Sequence, residues 1–165
     1  MKILALDPGT EKGGLGFFKL EDEKIELIES RQIPLKGKDL EDRLAYYYSY
    51  LDEFLIKELD VKVIALEKTF VAPPDKKTGE YKYDIQSPLK LSMARGVVYA
   101  VAGKHKIKVY EYMPGDVKQT ITGNYHANKK MMIRQISKTY NREFEEDEAD
   151  AVGIGITHFL KRKTL

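Results

Sequence analysis

The alternation of apolar and polar positions predicts a three-stranded meander at the start of the chain. KILALD at residues 2–7 is an apolar run that ends on Asp7. Two more strand-like runs, within residues 14–35, are separated by the polar residues Glu21, Asp22 and Glu23. Consecutive strands joined by short polar turns pair antiparallel. We therefore expect an antiparallel sheet over residues 2–35.

The remainder of the chain alternates between helical and extended patterns. Residues 39–59 place apolar side chains three and four positions apart, which is the period of a helix. Residues 71–84 are polar and contain Pro and Gly, as in a loop. Further helices are predicted over residues 87–105, 114–123, 127–140 and 147–163, and strands over 61–67 and 107–112. This order predicts one α/β domain over residues 1–165, with a mixed sheet and helices on its faces.

Composition narrows the class of protein. The chain has 165 residues, 42% of them hydrophobic and 33% charged, as in an ordinary soluble domain. It contains no cysteine, which excludes disulfides, Cys-based zinc sites and Cys nucleophiles. No apolar run approaches the length of a membrane span, and no signal segment precedes the first strand. We therefore expect a cytoplasmic protein.

The net charge of +2 hides an uneven distribution. Residues 101–138 carry eight Lys and Arg against two acids, and residues 143–150 carry six acids and no base. A basic segment beside an acidic one is typical of a site that binds a polyanion with metal ions. Two solvated helix faces are the alternative.

Two groups of basic residues have the same two interpretations, phosphate contact or a solvated face. One group is Lys90 and Arg95, and the other is the helical stripe Lys130, Arg134 and Lys138.

Four carboxylates are candidates for one site. Asp7 and Glu67 each end an apolar strand, at the sheet edge where α/β sites form. Asp147 and Asp150 are three residues apart at a helix start and share one face. The GIG sequence at residues 153–155 costs roughly 1 kcal/mol per glycine in a helix, so it indicates close packing of this helix on the sheet. That packing would bring all four acids together.

Neighbouring carboxylates cannot all ionise without cations between them. Oxygen ligands select Mg²⁺ or Mn²⁺, and such ions hydrolyse phosphodiesters. Two alternatives remain open: Asp7 before Pro-Gly is also typical of a turn, and Asp147 also favours a helix N-terminus. The neighbouring Glu145, Glu146 and Glu148 are expected to be solvated.

The sequence resembles the RuvC family of Holliday junction resolvases along nearly its whole length. The motifs that carry the resemblance are LALDPGT at residues 4–10, ALEKTF at 65–70, LKLSMARG at 89–96, VKQTITG at 117–123 and DEADAVGIGITH at 147–158. The resemblance implies a ribonuclease H-like fold and a homodimer that nicks two strands of like polarity in four-way DNA during recombination and repair. It also implies Mg²⁺ as the cofactor, with Mn²⁺ substituting, and a branch-migration helicase as a partner.

The resemblance assigns roles by position. Asp7, Glu67, Asp147 and Asp150 match the catalytic, metal-binding acids, and Lys118 and Lys129 match lysines that contact DNA. Phe70 matches an aromatic residue near the junction centre, although a core position is its alternative. Lys130 and Arg134 are further candidates for DNA contact.

Two departures from the family pattern stand out. The segment 71–88 is longer than in the family, so its contact with DNA is expected to differ. Tyr125 replaces the second glycine of the family's GxGxAxK, which puts the local backbone in question.

Three other functions compete with junction cleavage. A protein that binds branched DNA without cutting it would share the basic segment. A ribonuclease H-like nuclease acting on precursor ribosomal RNA would share the fold. An actin-like ATPase also begins with a strand, an Asp and a Gly-containing turn, but the sequence shows neither a second Asp-Gly phosphate loop nor a second lobe.

Two further groups of residues are expected to be structural. The tyrosines of residues 46–50 are expected to pack in the core or at a dimer contact, with base stacking as the alternative. His105, His126 and His158 lack metal-ligand spacing, and His158 is expected to pack at its helix end.

Overall fold

A five-stranded mixed sheet forms the centre of the protein. The computed structural model describes residues 1–69, 78 and 86–162. The strands are β1 (Lys2–Asp7), β2 (Lys12–Glu21), β3 (Lys24–Pro34), β4 (Val61–Glu67) and β5 (Lys108–Tyr112). Their order across the sheet is β3-β2-β1-β4-β5. The first three strands pair antiparallel, while β4 lies parallel to β1 and β5 parallel to β4, which confirms the predicted mixed sheet.

The turn between β2 and β3 lies where the sequence predicts it. Asp22 and Glu23 have φ angles of 46° and 63°, so both residues adopt the left-handed conformation. Two consecutive left-handed residues match the twist of the flanking strands, which favours this hairpin.

Five helices accompany the sheet in the described ranges. They are α1 (Leu40–Lys57), α2 (Gln86–Lys104), α3 (Pro114–Thr122), α4 (Lys129–Tyr140) and α5 (Glu146–Lys161). α4 begins later than predicted because Asn128 caps it, its Oδ1 accepting a hydrogen bond from the Met131 N–H at 3.0 Å. Leu59 was predicted to lie on the apolar stripe of α1, but it follows the helix and is 81% exposed. The loop predicted over residues 71–84 lies outside the described residues, apart from Thr78.

Helices cover both faces of the sheet, as predicted. β1 alternates, with Leu4 and Leu6 facing one cluster of buried side chains and Ile3 and Ala5 facing the other. The first cluster contains residues of α1 and α2, and the second contains residues of α3, α4 and α5. No helix in the described part of the chain is long and apolar enough to cross a membrane.

The tyrosines of α1 belong to the first cluster. Tyr47 is fully buried, and Tyr46, Tyr48 and Tyr50 pack against the cluster while partly buried. This is the core packing that the sequence predicted.

Candidate active site

Two strand-end carboxylates lie at one edge of the sheet. β1 and β4 are parallel neighbours, and Leu6 is paired with Leu66. Asp7 and Glu67, the next residues along each strand, therefore end side by side. They line a cavity of about 820 Å³ whose other walls include Thr69, Ser87, Lys90, Arg95 and Pro114.

The first turn of α5 is brought to this edge by a glycine of β2. Gly14 is paired with Asp7 across the sheet. A Cβ atom on Gly14 would lie 1.8 Å from the backbone oxygen of Asp147. Only glycine therefore lets the start of α5 rest on β2 at this point.

The two glycines inside α5 have different roles, which corrects part of the prediction. A Cβ on Gly155 would lie 2.1 Å from the ring of Phe18, so this glycine packs closely on the sheet as expected. Gly153 instead faces Val117, Ile121 and Met132 of α3 and α4. The close approach that places the acids thus comes from Gly14 and Gly155.

The four predicted carboxylates interact electrostatically. Burial raises the pKa of Asp7 well above its usual value, and the charges of Asp150, Glu67 and Asp147 raise it further. Burial, with the charge of Asp150, raises the pKa of Glu67 to about 7. Burial, with the charges of Glu146 and Asp147, raises the pKa of Asp150 to about 6. The cluster holds more negative charge than its surroundings compensate.

Asp147 has partners that the sequence did not indicate. Its Oδ2 accepts a hydrogen bond from Gln32 Nε2 at 2.8 Å and lies 3.3 Å from Lys12 Nζ. Gln32 is paired with Gly14, so it stands in the same row across the sheet as Asp7. The sequence does not indicate which residue a single polar side chain on a strand contacts. Only the register of the strands shows where that side chain points.

Both predicted DNA-contacting lysines lie close to the acids. The charges of Lys118 in α3 and Lys129 in α4 lower the pKa values of Glu67 and Asp150, in opposition to burial. Lys129 also pairs with Glu146, and this hydrogen bond raises the pKa of Lys129. Lys130 and Arg134 are exposed on α4. Phe70 lies outside the described residues.

Arg95 does not lie on a solvated face. Its side chain is only 11% exposed and forms an ion pair with Glu111 of β5. The same side chain lines the cavity beside Glu67 and lowers the pKa of that carboxyl. Lys90 lines the cavity as well.

The prediction that Glu148 is solvated is wrong. The residue is 6% exposed, and its Oε1 accepts hydrogen bonds from Ser30 Oγ at 2.7 Å and from Arg142 at 2.8 Å. With Glu145 it forms a capping box that satisfies the first backbone N–H groups of α5. Glu148 therefore fixes the start of the helix that carries Asp147 and Asp150.

His158 packs at its helix end, as expected. It is 3% exposed, and its Nδ1 lies 2.6 Å from the hydroxyl of Tyr112. Burial lowers the pKa of His158 to about 4, so the ring is neutral at pH 7.

The carboxylate groups of the four acids do not point at one common position. As the side chains stand in the described ranges, no three His, Asp or Glu residues form a group that could hold a metal ion. Asp147 contacts Gln32 and Lys12, and the remaining acids repel one another. Side-chain rotation would be needed for them to share a cation.

Known proteins resemble this chain along its length. The family model of crossover junction endodeoxyribonuclease RuvC matches residues 3–158. The RuvC of Brachyspira hyodysenteriae is 30% identical, covering 99% of this chain and 96% of the relative. The RuvC of Sodalis glossinidius is 34% identical, covering 94% of this chain and 85% of the relative.

Solved structures show the same fold. The Thermus thermophilus RuvC structure aligns with a TM-score of 0.76 at 22% identity, covering 99% of this chain and 96% of that chain. The T. thermophilus RuvC in complex with a Holliday junction substrate aligns with a TM-score of 0.80 at 23% identity, with the same coverage. These likenesses confirm the expected ribonuclease H-like fold, and the match to the family model gives the family: this chain belongs to the RuvC family of crossover junction endodeoxyribonucleases.

Proposed function

We propose that this protein resolves four-way DNA junctions by hydrolysing one phosphodiester bond in each of two strands of like polarity, with divalent metal ions at Asp7, Glu67, Asp147 and Asp150. One observation carries the proposal: carboxylates from β1, β4 and α5 lie within electrostatic range of one another at one sheet edge, beside two lysines. Membership of the RuvC family supports the substrate, since the structure of T. thermophilus RuvC has been solved in complex with a Holliday junction substrate.

The donor set suits a hard divalent cation. All four side chains offer carboxylate oxygens, which Mg²⁺ and Mn²⁺ prefer over softer ligands. The raised pKa values of Asp7, Glu67 and Asp150 come first from burial and then from repulsion by neighbouring acids, and both disfavour the ionised carboxylates. A divalent ion would relieve this repulsion and favour the ionised form of each ligand.

The fixed backbone elements position the ligands. When bound, Mg²⁺ or Mn²⁺ would activate a water and stabilise the leaving oxygen of the phosphodiester. Asp7 and Glu67 stand on neighbouring strand ends, so their backbone separation is set by the sheet. Asp150 faces them from α5, and Asp147 assists from the rim, where Gln32 and Lys12 hold its carboxylate.

Basic side chains around the acids would hold the DNA backbone. Lys118 and Lys129 carry positive charge to the edge of the cluster, next to the phosphate to be cut. Lys130 and Arg134 extend this surface along the exposed side of α4. Contacts to phosphates fix the register of the substrate without reading its sequence.

A homodimer would place two such sites against the two strands. α2 offers an exposed surface for the second copy, since Leu89 and Met93 are each 51% exposed and a Cβ on Gly96 would meet no atom within 4 Å. A two-fold symmetric protein matches a substrate that needs two symmetric nicks. Met93→Glu should therefore give a monomer by light scattering, whereas Ile56→Glu, on a residue 55% exposed at the end of α1, should leave the dimer intact.

Cleavage assays test the function directly. Labelled four-way, duplex and single-stranded DNA, and a structured RNA, are incubated with the protein and Mg²⁺, Mn²⁺ or EDTA. The expected result is paired nicks in the four-way junction alone, with either metal and not with EDTA. Junction binding without product in any metal, or ATP hydrolysis without DNA, would contradict the proposal.

A further inference from the structure

The loop between α3 and α4 holds Tyr125 in a fixed position. Backbone N–H groups of Ala127 and His126 donate to the backbone oxygen and Oδ1 of Asn124, at 3.1 and 3.0 Å. The Asn124 N–H donates to Thr122 Oγ1 at 3.1 Å. Local hydrogen bonds on both sides of Tyr125 therefore order this turn.

One side of the Tyr125 ring is covered by a glycine. A Cβ atom on Gly115 would lie 2.0, 2.3 and 2.4 Å from three ring carbons, so the ring rests on the Gly115 backbone. The His126 ring approaches edge-on, with centroids 5.4 Å apart and planes at 76°. Tyr125 nevertheless remains 46% exposed. The ring is thus oriented by the protein and still open to solvent.

This ring rests on the residue that follows a wall of the acidic cavity. Gly115 follows Pro114, which lines the same cavity as Asp7 and Glu67. The loop also joins the two helices that carry Lys118 and Lys129, whose charges act on the site carboxylates.

We propose that Tyr125 stacks on a nucleobase of the bound junction beside the phosphate to be cut and so sets the position of that strand. The inference rests on the proposed function. A ring that is already oriented loses little conformational freedom on binding, which favours a stacking contact. Stacking on an aromatic side chain tolerates any base, so the contact would add affinity and placement with little sequence preference.

Tyr125→Leu tests the contact, with Ile28→Ala as its control because Ile28 is a similarly exposed apolar residue, at 45%, on β3. Junctions carry the fluorescent base 2-aminopurine at each position flanking the cut, and binding is measured in EDTA so that nothing is cleaved. The wild-type protein and Tyr125→Phe should quench the probe at one position. Tyr125→Leu should lose that quenching and bind about tenfold more weakly, since the Leu lacks an aromatic face. Ile28→Ala should behave as wild type.

Gly115→Ala tests the same contact by displacing the Tyr125 ring instead of removing it. The added methyl displaces the ring, so this variant should lose the same quenching while its helix keeps its stability, because alanine favours helices over glycine. The double variant Gly115→Ala/Tyr125→Leu should be no weaker than Tyr125→Leu alone.

Three results would overturn the inference. Unchanged quenching and affinity in Tyr125→Leu would exclude a contact. An equal loss in Tyr125→Phe would assign the effect to the hydroxyl rather than to stacking. Additive losses of junction affinity in the double variant would show that Gly115 does not act through the Tyr125 ring. A wild-type protein that neither binds nor cuts the four-way junction would instead refute the proposed function itself.

Discussion

Removing one charge from the acidic cluster should stabilise the metal-free protein. The perturbation is Glu67→Gln, which keeps the size of the side chain and removes its negative charge. In the folded protein the pKa of Glu67 is raised from 4.5 to about 7, mainly by burial and by the charge of Asp150. Ionised Glu67 is therefore less favourable in the folded than in the unfolded chain.

The magnitude follows from the shift. This rise in the pKa of Glu67 corresponds to about 3 kcal/mol of unfolding free energy as an upper bound. Because Glu67 shares its shift with Asp150, we expect a gain of about 2 kcal/mol for Glu67→Gln at pH 8. For a domain of this size that gain raises Tm by roughly 4 to 8 °C.

The sign depends on pH in a defined way. Well below the unfolded pKa of 4.5, Glu67 is protonated in both states, so its raised pKa does not affect the unfolding free energy. The unfolding free energy then falls as the pH rises from 4.5 to about 7. The advantage of Glu67→Gln should therefore be small at pH 4.5 and nearly complete at pH 8. Denaturant unfolding in EDTA at both pH values measures it, with Glu53→Gln, an exposed residue of α1, as the charge-matched control.

A divalent metal ion should make the wild-type protein more stable than Glu67→Gln. A metal ion that binds only the folded state stabilises it more the tighter it binds, so the wild-type protein, with all four proposed ligands, should gain more than Glu67→Gln when Mg²⁺ is added. The reasoning is refuted if Glu67→Gln is less stable than wild type in EDTA at pH 8. It is also refuted if Glu53→Gln gains as much.

Three further predictions concern charge and buried polar groups. Asp7→Asn should abolish cleavage in gel assays and spare junction binding in EDTA, and near-normal nicking would remove Asp7 from the site. Lys118→Ala should reduce the slope of log K against log salt by about one for each subunit engaged, and an unchanged slope with unchanged cleavage would argue against phosphate contact. Tyr112→Phe should cost about 1 to 2 kcal/mol of unfolding free energy, because it breaks a buried hydrogen bond to His158. Tyr47→Phe should cost nothing, since the Tyr47 hydroxyl is buried without a partner in the described ranges, and equal losses in the two variants would contradict this difference.

The strand-end acids could be predicted from the sequence because their positions depend on local pattern. Asp7 and Glu67 each end an apolar run, and parallel neighbours place such residues side by side. The partners of Asp147 could not be predicted in this way. Gln32 reaches it only because β3, β2 and β1 pair in one register, and register depends on contacts between distant parts of the chain.

Charge patterns were the least reliable guide. Glu145, Glu146 and Glu148 were predicted to be solvated because they lie in a run of acids, yet Glu148 is buried between Ser30 and Arg142. Arg95 likewise lies in the interior, opposite Glu111. A charged residue can be buried where a partner of opposite charge or a hydrogen-bond donor faces it, and the sequence does not show which distant residue that partner is.

The electrostatics of the site give a second reason to propose a metal ion there. Lys118, Lys129 and Arg95 lower the pKa of Glu67, but burial and Asp150 together raise it by more, so these cations compensate the acids only in part. A DNA phosphate approaching the metal-free cluster would add a further negative charge to a poorly solvated site. Divalent ions between the carboxylates would remove that repulsion as well as activating the water. Lys118 and Lys129 could then turn their charge from the carboxylates to the DNA backbone, so metal and substrate would each favour the binding of the other.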